Sequence, residues 1–232
     1  MASRQLTIEM LKTAVILVLL SLSADGEIYQ ICGPLQWEGL QFVVTGTEEA
    51  GRPTMIQSTT KFSFDANNSR IAASTSGFQD GHQFQKDFLF LYQQKTVFVI
   101  EEGKCHAENL VNDFPPHCLP SSFTCMFART WYGFETKDDE LLLYGYAGHV
   151  DDLNYHVQLF IEFVTPASQQ ILGNYNDHPI FQTSEIVNTT RGIKNPDVFT
   201  LPASCKTAKL EGTYKPPVYL LGSTFPRGSA VP

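Results

Sequence analysis

Two neighbouring stretches of the 232-residue chain, "DFLFLYQ" (87–93) and "TVFVIEE" (96–102), constrain the fold most. Phe88 to Tyr92 and Val97 to Ile100 are unbroken apolar runs of strand-forming residues. Successive side chains of a strand point to opposite faces, so both runs put apolar groups on both faces of the same ribbon. Leaving one face in water costs roughly 1.5–3 kcal/mol for each large side chain that burial would otherwise remove. "ELLLYGYA" (140–147) repeats the pattern. The cover is a second sheet, a partner subunit or a bound apolar ligand.

The rest of the chain reads as further strands: "LQFVVTG" (40–46), "TTKFSFD" (59–65), "RIAAST" (70–75), "FTCMFART" (123–130), "YHVQLFIEFV" (155–164) and "IFQTSEIV" (180–187). "DANNSR", "QQK", "TKDD" and "HVDDLN" supply turn residues between them. In 155–164, Val157, Leu159, Ile161 and Phe163 share one side, while His156, Gln158 and Glu162 share the other, the signature of a strand wet on one face. Helical periodicity is scarce. The pattern predicts an antiparallel all-β protein, a sandwich or a curved, barrel-like sheet. The tail after Gly212 is punctuated by Pro and Gly and is expected to fray at its end.

Arg4 and Lys12 precede the apolar run "TAVILVLLSLSA" (13–24), which is too short to span a bilayer. This predicts a signal peptide over 1–24, cleaved near Asp25 or Glu27, with no later transmembrane segment. Removing Arg4, Lys12 and Glu9 takes the formal charge from −8 to −8 − 1 = −9. An acidic chain without a basic cluster argues against nucleic acid or an anionic membrane as partner. Roughly 205 residues remain, enough for one domain with a full core. All five cysteines, Cys32, Cys105, Cys118, Cys125 and Cys205, fall in the exported part, where bridges are expected. Five is odd, so one thiol stays free or pairs with another molecule. The sequons at Asn67 and Asn188 predict N-glycans on exposed turns.

Motifs for catalysis are missing from the sequence: there is no nucleophile elbow, Gly-rich phosphate loop, HExxH or CxxC. The six histidines lack zinc-site spacing, and a non-enzymatic chain is expected. Acidic pairs at 48–49, 101–102, 138–140 and 151–152 are of a type that binds calcium in turns, but none forms an EF-hand loop, so no metal-ligating residues are assigned.

"CGPLQWEG" (32–39), "FSFDANNSRI" (62–71), "DFLFLYQQKTVFVIEEGKC" (87–105), "LPSSF" (119–123) and "GIKNPDVFTLPASC" (192–205) follow one another in an order that resembles ependymin-related proteins. Residues 131 to 190 match poorly, and one family cysteine there has no counterpart. The resemblance implies a single ependymin-like domain over 25–232. It further implies a secreted or lysosomal glycoprotein whose two antiparallel sheets stack into a half-open barrel around a hydrophobic pocket, similar to bacterial lipoprotein carriers. Calcium binding, homodimerisation and contact with extracellular matrix are implied as well. A Cys105–Cys205 bridge carries over from the family, which makes the turn-rich segment 192–205 a strap tied to the core sheet. Cys32 is expected to bond to Cys118 or Cys125.

Two functions follow as expectations. The first is binding of a lipid or other hydrophobic small molecule between the sheets, with Trp37, Phe42, Phe88, Phe90, Phe98 and Phe160 as wall residues. The second is a matrix or cell-adhesion protein acting through glycans, calcium and dimerisation.

Overall fold

The structure, a computed structural model, describes residues 31–132, 141–160, 164–217 and 220. The expected signal peptide over 1–24 and its cleavage region, the "TKDD" turn with the acidic group 138–140, Ile161 to Phe163 and the end of the tail lie outside the described residues. From Ile31 the chain forms one compact unit. Its strands are β1 (Gln36–Glu49), β2 (Arg52–Asp65), β3 (Arg70–Gln79), β4 (His82–Leu91), β5 (Thr96–Glu101), β6 (Lys104–Asn109), β7 (Thr124–Tyr132), β8 (Leu141–Val150), β9 (Leu153–Phe160), β10 (Pro166–Tyr175), β11 (His178–Arg191) and β12 (Leu210–Thr213).

All twelve hydrogen-bond in one order, β12-β6-β5-β4-β3-β2-β1-β11-β10-β9-β8-β7. Every neighbouring pair is antiparallel except β12 with β6. The all-β, half-open architecture therefore holds, and the two expected sheets are the halves of a single one whose edges, β12 and β7, do not pair. Tight hairpins build it: Ala50-Gly51, Asp80-Gly81, Glu102-Gly103 and Asn176-Asp177 all take positive φ at both turn positions. That geometry matches the right-handed twist of the flanking strands.

β6, β10 and β12 are absent from the sequence reading. "KCHAEN" and "PASQQILGNY" carry too many polar residues of low strand propensity to stand out, and they are held as strands by the ladders on either side. β12 extends the sheet beside β6, and the adjoining Tyr214 is buried in the core, while the end of the tail lies outside the described residues.

Two apolar clusters line the inner face. Trp37, Phe62, Phe64, Phe88, Phe90, Tyr92 and Val97 anchor the first, over β1–β5. Tyr155, Val157, Leu159, Ile171 and Ile180 anchor the second, over β8–β11. The connection from β6 to β7 must run from one end of the sheet to the other, and it feeds both: Leu110 and Phe114 join the first cluster, Leu119 and Phe123 the second. It is pinned in passing to the segment before β1. Cys118 is disulfide-bonded to Cys32, the Gly33 N–H donates to the His117 carbonyl at 2.6 Å, and the Leu119 N–H donates to the Ile31 carbonyl at 2.7 Å. Cys125 keeps an exposed free thiol.

Of the doubly apolar strands, β4 and β5 receive their second cover from the strap rather than from another sheet. Leu89 and Ala107, on the outer face opposite Phe98, are both buried, and a hollow of about 450 Å³ runs between Leu89 and Ile100 on one side and Val198, Thr200 and Pro202 of the strap on the other. The Cys105–Cys205 bond closes the strap onto β6.

Replacing Cys105 and Cys205 together by Ser should destabilise the protein by about 4–5 kcal/mol, since the bond closes a loop of roughly 100 residues in the unfolded chain. Urea unfolding measures this, and an unchanged midpoint would show that the strap holds without its bond.

Candidate ligand site

The strap is fixed by a chain of polar contacts. The Gly192 N–H donates to the Gln36 carbonyl at 2.8 Å, and the Lys194 N–H donates to Glu38 Oε2 at 3.2 Å. The Ser63 hydroxyl donates to the other oxygen of that buried carboxylate at 3.0 Å. Asn195 caps a short 3-10 turn, Pro196–Phe199, by accepting from the Asp197 N–H at 3.1 Å. The turn sets Phe199 under Arg70, whose guanidinium carbon lies 4.0 Å from the ring centroid.

Arg70 is in turn held by Asp65, a carboxylate with 0% exposure. Asp65 Oδ2 accepts from Arg70 Nε at 2.7 Å and Asn68 Nδ2 at 2.8 Å, while Oδ1 accepts from Gln36 Nε2 at 2.9 Å. Burial pushes the Asp65 carboxyl up, but the hydrogen bonds from Asn68, Gln36 and Arg70, together with the Arg70 charge, outweigh it and hold the carboxyl below the usual carboxylate range.

On the inner face, the two apolar clusters flank a polar band. The register sets Ser184 of β11 between Gln169 of β10 and Val43 of β1, and Gln182 between Ile171 and Thr45. Ser58 of β2 lies on the far side of Val43. Thr45 and Gln182 are 0% exposed, and Gln169, Ser184 and Ser58 are also buried. The Thr45, Ser58 and Ser184 hydroxyls and both amide atoms of Gln169 and Gln182 have no hydrogen-bond partner among the described residues. Each buried polar group left this way costs about 1–3 kcal/mol. A few places along, Thr60 and Thr75 satisfy one another at 2.9 Å.

The six aromatic wall candidates do not share a wall. Trp37, Phe88 and Phe90 mesh into the first inner cluster, Trp37 standing edge-on to Phe62 at 4.6 Å and Phe90 edge-on to Tyr214 at 5.5 Å. Phe98 is half-buried on the outer face opposite Leu89, and Phe160 is half-buried on the face of β9 away from Val157 and Leu159. Phe42 is 44% exposed and lines an outer groove of about 580 Å³ with Val44, Gln57 and Phe78. The correction has one cause: on a strand, residues of odd and even parity belong to different faces, so Phe42 is on the other side of β1 from Trp37, and Phe98 on the other side of β5 from Val97. The polar band escaped sequence reasoning, although a signal was there. In Ile180-x-Gln182-x-Ser184-x-Ile186, two polar residues share the parity of the two isoleucines.

Asn67 is exposed in the β2–β3 turn. Asn188 is exposed with φ 53°, at an irregularity where β11 carries one extra residue against β1. A left-handed φ at a strand irregularity is one that Asn adopts more readily than most residues. For calcium, the described residues offer no convergent set of carboxylates. The one cluster of three metal-type side chains among them is Cys32, His117 and Cys118, whose sulfurs are joined in the disulfide, and hard cations take oxygen ligands.

Residues 80–205, more than half of the chain, match the model of the family described as Ependymin. The chain belongs to the ependymin family. The match takes in residues 131–190, where the sequence resemblance is weakest, and both cysteines of the strap bond. Among solved structures, an uncharacterized conserved protein from Thermus thermophilus aligns at 8% identity over 77% of this chain and 91% of its own, with a TM-score of 0.44. MucB aligns at 9% identity over 75% of this chain and 60% of its own, with a TM-score of 0.35. A β-barrel-like protein from Brucella abortus aligns at 8% identity over 68% of this chain and 98% of its own, with a TM-score of 0.29. No helix among the described residues of the ependymin-family chain is long and apolar enough to cross a membrane.

Because the Asp65 carboxyl is held below its ordinary value of 3.8, its contribution to stability is fully present above that pH and is lost as pH falls through the lower folded value. Asp65→Asn should therefore lower stability by about 2 kcal/mol equally at pH 7 and pH 5, with the gap to wild type narrowing below about pH 4. Urea midpoints across that range decide it, and a gap that already closes between pH 7 and pH 5 would contradict this assignment.

Proposed function

We propose that this ependymin-family chain is an exported, non-enzymatic glycoprotein that carries an apolar, lipid-like ligand against the inner face of its open sheet. The observation that carries the reading is the inner face itself. It bears two separate apolar clusters on a sheet whose edges do not close, and opening such a face to an acyl chain exchanges water contact for apolar burial. Two disulfides fit the oxidising export route and its extracellular or lysosomal destinations. The reading does not depend on calcium.

A second reading, homodimerisation or matrix contact through the outer face, is favoured by a different observation. Leu172, Phe181 and Met55 lie in one row across β10, β11, β1 and β2, each more than half exposed, with Val44 and Phe78 one row along. Contiguous exposed apolar residues of this kind mark an interaction surface, whereas apolar residues scattered singly do not.

Native mass spectrometry of the glycosylated protein from its own secretory route separates the two. Co-purifying lipid of defined mass is expected on the carrier reading. A protein that carries only sugar, and whose dimer is lost in Phe181→Ser, would replace it with the adhesion reading.

A further inference from the structure

We infer that the polar band formed by Thr45, Ser58, Gln169, Gln182 and Ser184 receives the uncharged polar group, a hydroxyl or an amide, of an acyl lipid whose chain lies along the apolar clusters on either side. The inference rests on the carrier reading and names the ligand class within it.

Position is the first argument. The band is on the inner face, with Val157, Tyr155 and Ile171 of the second cluster directly across from or beside Gln169 and Gln182, and Val43 and Ile56 of the first cluster beside Ser58 and Thr45. An amphipathic molecule laid across the inner face therefore meets an apolar, a polar and again an apolar zone.

Chemistry is the second. Every one of these five side chains is more than nine-tenths buried, and their polar atoms have no partner among the described residues. Carboxamides and hydroxyls both donate and accept, so the band complements a group that does the same. None of the five carries a charge. Lys86, the cation of inner-face parity on β4, stands opposite Thr75 and pairs with Glu101 at 3.3 Å. An ionised carboxylate brought to the band would be buried without a counter-charge, and a bare hydrocarbon would leave the amides and hydroxyls as they are. A neutral hydroxyl or amide is the ligand group that avoids both penalties.

Four twelve-carbon probes test this on the full, disulfide-bonded, glycosylated chain by titration calorimetry at about pH 7.5: 1-monolauroylglycerol, lauramide, laurate and dodecane. The glyceride and the amide should bind at least about tenfold more tightly than laurate and dodecane, the worth of one well-placed hydrogen bond. In Gln169→Leu/Gln182→Leu the spread between the four should collapse to within about threefold, and the melting temperature of the unliganded protein should rise, because buried amides without partners are gone. Should that variant fail to fold, Ser184→Ala gives the same readout with a smaller loss. Laurate or dodecane binding as tightly as the glyceride, or a spread that survives the substitutions, would overturn the inference while leaving the carrier reading intact. Failure of all four to bind would overturn both.

Discussion

The constraint on which this structure depends is that β4 and β5 are apolar on both faces. A ribbon of that kind cannot sit at the surface of a one-layer sheet, yet it lies only two strands from the β12 edge. The chain covers it twice with segments remote in sequence. On the inner side, Leu110 and Phe114 of the β6–β7 connection and Tyr214 near the C-terminus complete the aromatic packing around Phe88, Phe90 and Tyr92. On the outer side, the strap folds back over Leu89 and Ile100. Each disulfide secures one of these returns. Cys32–Cys118 holds the inner crossing and Cys105–Cys205 the outer strap, across sequence separations of 86 and 100 residues. Cross-links that close loops this long take the most conformational entropy from the unfolded chain and so stabilise these returns.

Much of this was legible in the residues, and the parts that were not have identifiable physical reasons. Runs of β-branched and aromatic residues marked nine strands because local propensity and burial agree there. β10 was not legible because "PASQQILGNY" has its strand character conferred by β9 and β11, which pair with it on both sides. The doubly apolar runs correctly announced that two covers were needed, but sequence alone cannot say that one of them is a turn-rich strap rather than a sheet. The candidate site failed in a more instructive way. Aromatic residues were grouped by type, whereas a strand sorts them by parity, and the informative signal was polar residues at apolar parity, as in Gln182 and Ser184.

Strand parity also explains how a single open sheet packs one face and leaves exposed apolar residues on the other. Sheets of this many strands twist and curl, and β1, β2 and β11, each 14 residues long, lie at the centre of this one. Their inner residues change character along their length, from Trp37, Phe64 and Phe62 through the polar band to Ile180 and Ile56. The core is therefore not one continuous apolar mass. It is two masses joined through groups that require hydrogen bonds, and a core built like this is tightest where it is apolar and easiest to part where it is polar, since water or a ligand group relieves the cost of burial there.

The outer face is divided along the same axis. At the end of the sheet where β1 begins and β2 ends, the strap, the buried Glu38 and the Asp65–Arg70–Phe199 stack cover the strands. Both sequons belong to this end: Asn67 follows β2 directly, and Asn188 falls where β11 passes the start of β1. The exposed row of Leu172, Phe181 and Met55 lies toward the opposite end, and the ten-residue span from Met55 to Asp65 is about 33 Å of extended strand. Sugars on Asn67 and Asn188 would solvate the strapped end and leave the bare apolar row uncovered. Had that row been a passive surface, a glycan or a charged residue among Leu172, Phe181, Val44 and Met55 would be the ordinary means of shielding it. The sequence instead places both sequons at the far end, an arrangement that agrees with the proposed contact surface.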